Sequence, residues 1–176
     1  MTSNDEILDE AYQKGMDYLM QYGCAPGVYA AVMDALGYEG DPVVGEVWRA
    51  AIGLVGGTGN MAIGTCGAMA GAAMAISQSF ELSREKPADM ERMMAVGAAV
   101  GEVGRKVVEK YDSITCQDIQ FNLMGMSYKL DDPRGLEEFM KRSMATGESE
   151  CKELNGDIAR WTAEKILEVN PGFSKR

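Results

Sequence analysis

Along most of this chain, apolar residues recur every three to four positions, the period of helix faces buried in a core. Ile7, Leu8, Ala11, Tyr12, Gly15, Tyr18 and Leu19 form one such stripe and predict a helix over 4–22, broken by Gly23. A second helix is predicted from about Pro26 to Leu36, stopping at Gly37. Asp41-Pro42 supplies an N-cap followed by proline at the first helical position, so a third helix begins there, carries Trp48 and fades at Gly56-Gly57. Thr65 is the expected N-cap of a fourth helix over 66–79, and Pro87 opens a fifth over 88–111. Ser113 or Thr115 caps a sixth, with Thr115-x-x-Asp118 in the form of a capping box. Asp132-Pro133 repeats the cap-plus-proline signal for a short seventh helix. A last helix spans about 148–169, with Leu154, Ile158, Trp161, Ile166 and Leu167 inward, and ends at Pro171-Gly172. The stretch from Gly125 to Pro133 reads as an exposed loop. No segment reads as a convincing strand, and there is no repeat, low-complexity tract or linker. The expected fold is therefore all-α: one domain over 1–176, a bundle of seven to eight helices with a glycine-rich turn before the fourth.

Two small-residue stripes refine this. Gly67-x-x-x-Gly71 and Gly97-x-x-x-Gly101 leave flat helix faces that admit close backbone approach. They predict that the fourth and fifth helices pack on each other or across a dimer axis. The run from Ala50 to Phe80 carries no charge, but glycines 53, 56, 57 and 59 interrupt it, and a pair of buried helix pieces around a glycine turn is the expectation, not a membrane span. The 14 methionines are expected to fill irregular core gaps.

Charge narrows the partners. With 27 acidic against 17 basic residues the chain carries a net charge of −10, which disfavours nucleic acid and anionic membrane surfaces, both of which are bound through Lys and Arg. The N-terminus is acidic and polar with no apolar signal region, so a cytoplasmic location is expected.

Histidine is absent, which excludes Ser-His-Asp and Cys-His nucleophiles, HExxH zinc sites, and histidine-ligated or CxxCH-attached haem. Chemistry then falls to four cysteines, Cys24, Cys66, Cys116 and Cys151, spread over four segments with no CxxC pair. Cys24, Cys66 and Cys116 fall at expected helix starts, where N–H groups and the helix dipole favour a thiolate; Cys151 lies about a turn into the last helix. Gly57-Thr58-Gly59-Asn60-Met61-Ala62, with Glu81 beyond, has the form of a relaxed dinucleotide fingerprint, but no strand is expected before it. A loop whose N–H groups face an anionic sulfur is an equally good use of these glycines. Spacing alone also allows four inert buried cysteines.

Cys66-Gly67-Ala68-Met69-Ala70-Gly71, preceded by Gly56-Gly57-Thr58-Gly59 and flanked by Cys24, Cys116 and Cys151 in order, resembles the C-GCAxxG-C-C family of small redox-active proteins. The resemblance covers roughly residues 15–168. Gly23 stands where members often have asparagine, and the extra length of this chain is expected within 125–148. The family in turn resembles the cysteine-bearing part of split-Soret cytochromes c. That likeness implies an all-helical, dimeric fold and an iron–sulfur cluster, without haem. It makes Cys24, Cys66, Cys116 and Cys151 the expected ligands, with N–H groups of the glycine loop and helix starts (Gly57, Gly59 and Gly67) beside the sulfur. The partner would be a redox protein or a small redox molecule. Two alternatives stay open: a metal-free thiol–disulfide protein with Cys66 attacking and Cys116 resolving, and a structural Cys₄ zinc module.

Overall fold

A computed structural model describes residues 2–85, 89–145 and 150–175, without the side chains of 143–145 and 150. In these residues the fold is all-α. Helix α1 (Asn4–Tyr22) starts at a capping box, in which Ser3 Oγ accepts from Glu6 N and the Glu6 carboxylate accepts from Ser3 N at 2.7 Å. Gly23, at φ 84°, ends α1 and also sits at the N-cap of α2 (Cys24–Ala35), so α2 begins two residues earlier than the proline suggested. Asp41 caps α3 (Pro42–Ala51) by accepting from Val43 N and Val44 N, as its Asp-Pro signal predicts. A 3-10 turn over Ile52–Leu54 follows.

Next come α4 (Gly67–Ser79), α5 (Met90–Tyr111) and α6 (Cys116–Met124). Asp89 caps α5 through Arg92 N; the predicted opening at Pro87 and Ala88 lies outside the described residues. At α6 both candidate caps are used. Thr115 Oγ1 accepts from Asp118 N, and the Asp118 carboxylate accepts the hydroxyls of Thr115 and Ser113 at 2.6 and 3.0 Å. Helix α7 (Pro133–Ala145) is longer than the short element expected. Helix α8 (Glu150–Val169) is followed by a 3-10 turn over Pro171–Phe173; the predicted residues 148 and 149 are not among those described.

The core is built round α2. Its residues from Ala25 to Met33 are all buried, because nearly every side chain in the segment is apolar or small and no face is left for water. Helices α1, α4 and α8 enclose it. The α1–α8 contact depends on two glycines: a Cβ on Gly15 would lie 2.7 Å from Asn155 O, and one on Gly156 would lie 2.9 Å from the Tyr12 ring.

Three expectations need correction. Gly67 and Gly71 do pack closely, but on α2: a Cβ on Gly71 would overlap Ala25 O and one on Gly67 would overlap Cys24 Sγ. Helices α4 and α5 do touch, but not stripe to stripe: Met69 lies beside Gly104, while Gly97 has open space beside it and Gly101 meets only Arg105 of its own helix. Thr65 is not the cap of α4; Cys66 is, and Thr65 instead forms an antiparallel bridge with Thr115. The 125–133 segment is not simply exposed. Tyr128 is buried, donating its backbone N–H to Gln120 Oε1 at 2.7 Å and packing edge-on against Phe139. No helix among the described residues is long and apolar enough to cross a membrane.

Candidate functional site

Each cysteine enters from a different helix start. Cys24 is the first residue of α2, Cys66 the N-cap of α4, Cys116 the first residue of α6, and Cys151 the second residue of α8. All four line one cavity of about 320 Å³. Sequence spacing gave no local reason for them to meet; tertiary packing brings them together.

The Thr65–Thr115 bridge sets one pair. Cys66 N donates to Ile114 O at 2.8 Å and Cys116 N donates to Gly64 O at 2.9 Å, so the two cysteine segments run side by side in fixed register. The glycine loop sets the other side. Residues 56–60 all have positive φ, from 57° to 71°, including Thr58 and Asn60. Left-handed conformation costs an L-residue roughly 1–2 kcal/mol, so the three glycines carry most of a turn that the rest of the fold must hold in place. That turn directs Gly56 N at Cys24 Sγ, 3.4 Å away. It also seats Gly57 against Cys116: an added Cβ would lie 2.7 Å from the Cys116 Cβ.

The glycines therefore divide differently from expectation. Gly67 borders the cavity and leaves room for the Cys24 sulfur. Gly57 packs behind Cys116, and Gly59 stands in open space. Gly56 is the loop residue that reaches a sulfur. The dinucleotide fingerprint at 57–62 has no strand before it among the described residues, and its glycines serve this left-handed turn instead.

Three amides, Asn60, Gln120 and Asn155, line the cavity, and two of them follow its cysteines. Gln120, one turn after Cys116, donates from Nε2 to Cys116 Sγ at 3.2 Å while its Oε1 is held by Tyr128 N. Asn155, one turn after Cys151, donates from Nδ2 to Cys151 O at 2.7 Å. The repeated pattern of a cysteine followed four residues later by an amide was readable in the sequence; it places each amide on the helix face of its cysteine. Much of the lining is apolar, including Leu19, Ile52, Val55, Ile119 and Leu154, with Leu130, Leu136, Phe139 and Met140 from the 125–145 segment. No charged side chain lines the cavity among the described residues.

This setting reverses the expected thiol acidity. Burial is the largest influence on each affected thiol, and it favours the neutral form. Cys24 is raised by burial despite N–H groups that favour its thiolate, that of Gly56 first. Cys66 is raised well above the ordinary range by burial, and negative charge on Cys24, Cys116 or Cys151 would raise it further. Cys116 is pushed up to about 11 by burial, against the opposing Gln120 hydrogen bond. Helix N-termini are present, but desolvation and mutual repulsion outweigh them. Among the described residues no group of three or more Cys, Asp or Glu side chains is arranged to hold a metal ion.

The family model described as "Putative redox-active protein (C_GCAxxG_C_C)" matches residues 22–165, a span that contains all four cysteines. The chain belongs to this family. The four cysteines within the matched span are the ones that border the cavity. No curated protein and no solved structure gives a significant match.

Proposed function

We propose that Cys24, Cys66, Cys116 and Cys151 hold an iron–sulfur cluster for electron transfer or redox sensing. The observation that carries this reading is the arrival of four thiols, from four separate helix starts, at one cavity. The donor set suits the group, since clusters are held by cysteine thiolates. The missing side chain of Gly67 provides room at Cys24 that any larger residue would fill. When bound, a cluster supplies reversible electron transfer. The protein's own groups would tune it. Gly56 N–H and Gln120 Nε2 are placed to donate to the sulfurs of Cys24 and Cys116, which stabilises added negative charge. With no cationic side chain in the lining among the described residues, the countercharge for bound thiolates would come from the iron.

The thiol–disulfide alternative draws on a specific observation, the register that sets Cys66 beside Cys116. Among the described residues no cation lines the cavity to activate an attacking thiolate, so it ranks second. The zinc reading ranks third, because zinc has no redox chemistry and the family is described by redox activity. The proposal includes a cytoplasmic setting, where thiols stay reduced, and a homodimer whose solution mass can be measured.

The deciding experiment is purification without oxygen, followed by assay of iron and acid-labile sulfide. Iron with matching sulfide, lost on substitution of the cysteines, is the expected result. A colourless protein that holds neither, even after reconstitution, overturns the reading. Zinc in place of iron, or a reversible disulfide between Cys66 and Cys116, would favour one of the alternatives.

A further inference from the structure

Helix α7 is held unlike the other helices. None of its residues from 133 to 142 is buried, and none belongs to the hydrophobic core. Its apolar side chains Leu136, Phe139 and Met140 stand at three-to-four spacing, on one helix face, and all three line the sulfur cavity. Leu130, just before the helix, lines it too. The apolar face of α7 thus lies on the sulfur cavity and not on the core. A helix with so little buried surface belongs to the low-stability end of a fold, where local opening costs least.

The segment nevertheless coheres as a unit. The Phe139 ring packs edge-on against Tyr128, with centroids 5.7 Å apart. A Cβ on Gly135 would overlap Lys129 O, so the first turn of α7 lies flush on the backbone ahead of it. Lys129 O also accepts from Asp132 N at 3.3 Å. On the near side of this unit stands Gly125, the C-cap of α6, at φ 74° with open space where a side chain would be. Such a residue absorbs a change of backbone angle at little cost. Tyr128 is the one buried residue between Gly125 and Arg142, and its N–H donates to Gln120 Oε1 at 2.7 Å. Gln120 is 2% exposed and donates from Nε2 to Cys116 Sγ. One buried amide therefore ties the segment to a cavity sulfur.

We propose that residues 128–142 form a hinged lid on the sulfur cavity, turning at Gly125 and latched to Cys116 through Gln120. The inference goes beyond the cluster reading and holds whatever the cysteines bind. Closed, the lid lays Leu130, Leu136, Phe139 and Met140 over the thiols, and Cys66 and Cys116 are only 5% and 9% exposed. Open, it gives small molecules in solution a path to those two sulfurs. Because the latch ends on Cys116 Sγ, a chemical change that removes this sulfur as an acceptor frees Gln120 and loosens the lid.

The test uses the full chain purified without oxygen, with iron and sulfide assayed on the same sample. Amide hydrogen exchange should show Tyr128 N–H and the amides of α7 opening together, and more often than those of α2 and α8. Gln120→Met keeps the length of the side chain and removes both hydrogen bonds. It should raise the open population of 128–142 about tenfold, the loss of one buried hydrogen bond, with α2 and α8 unchanged. After treatment with a chelator, alkylation of Cys66 by N-ethylmaleimide should quicken by the same factor. Cys66 is the reporter because Gln120 bonds Cys116. Gly135→Val unseats the first turn of α7 from Lys129 without altering Gln120 or a cysteine, and should also quicken it. Tyr128 N–H exchanging only with the whole fold, lid exchange unmoved by Gln120→Met, or Cys66 alkylated at the same rate in Gly135→Val as in the unaltered chain would each overturn the inference. If Gln120→Met does not fold, the unaltered chain and Gly135→Val still decide. Iron bound without this lid behaviour defeats the lid alone; the lid behaviour without iron defeats the cluster reading alone.

Discussion

Gly67-x-x-x-Gly71 and Gly97-x-x-x-Gly101 are the same sequence pattern put to different uses. The first lies against α2 so closely that a methyl group on either glycine would overlap an atom of the neighbouring helix. The second, one helix later, has open space at Gly97 and one flexible arginine near Gly101. Small-residue spacing marks a face on which another helix can come close. It does not name the helix, and it does not require one. The difference lies in what surrounds each stripe. The first faces a helix buried without a break from Ala25 to Met33. The second lies on a helix whose first turns expose Met90, Met93 and Met94.

The largest effect should come from Gly71→Leu. The atoms it meets are backbone, Ala25 O and Tyr29 N, and cannot step aside. We expect a loss of more than about 3 kcal/mol, or no folded protein, read by denaturant unfolding. Gly67→Ala comes next. Its Cβ overlaps the Cys24 sulfur and lies 3.0 Å from Leu54 O, so the cost should be about 1–3 kcal/mol and, if the proposed cluster is bound, less iron should be retained per chain at unchanged helical content. If iron retention is unaffected, Gly67 has no part in the site.

At the open stripe the sign should reverse. Gly97→Ala with Gly101→Ala places two better helix formers where nothing resists them, adding about 0.5–1 kcal/mol each and raising Tm by a few degrees. The solution mass should not change. A fall in stability together with a fall in mass would instead place this stripe between two copies of the chain.

The smallest effect concerns α2 at its far end, where Asp34 accepts from Tyr18 Oη at 3.0 Å. Burial raises its carboxyl above 3.8, with the Tyr18 hydrogen bond and Lys14 opposing. The folded state therefore binds this proton more readily than the unfolded one. Asp34 favours folding below the unfolded value, and that contribution is lost as pH rises through the folded value. Asp34→Asn should flatten the pH dependence of the unfolding midpoint in the window just above 3.8. An unchanged profile would show that Asp34 titrates alike in both states.

Helix positions were legible wherever a local signal existed: Asp41-Pro42, Thr115-x-x-Asp118 and Asp132-Pro133 all open helices as read. Thr65 misled because a threonine before a helix serves equally as a cap or as a bridging residue, and only Thr115, far along the chain, decides between them. The four cysteines were visible as candidates, but their meeting was not, since no cysteine lies within a local turn of another. The thiol acidity was misjudged for the same reason. Helix starts are local and readable; the burial that outweighs them is a property of the whole fold. Gln120 and Asn155 lie four residues beyond Cys116 and Cys151, a spacing that puts each on its cysteine's helix face.

The Thr65–Thr115 bridge has a bearing on assembly. It joins the ends of a loop of about fifty residues, a closure whose entropic cost must be met before its contacts give any return. Cys66 and Cys116 become neighbours only once α4 and α5 have folded back between them. The cavity's two adjoining cysteine segments therefore depend on a long-range closure, the kind of contact that slows folding.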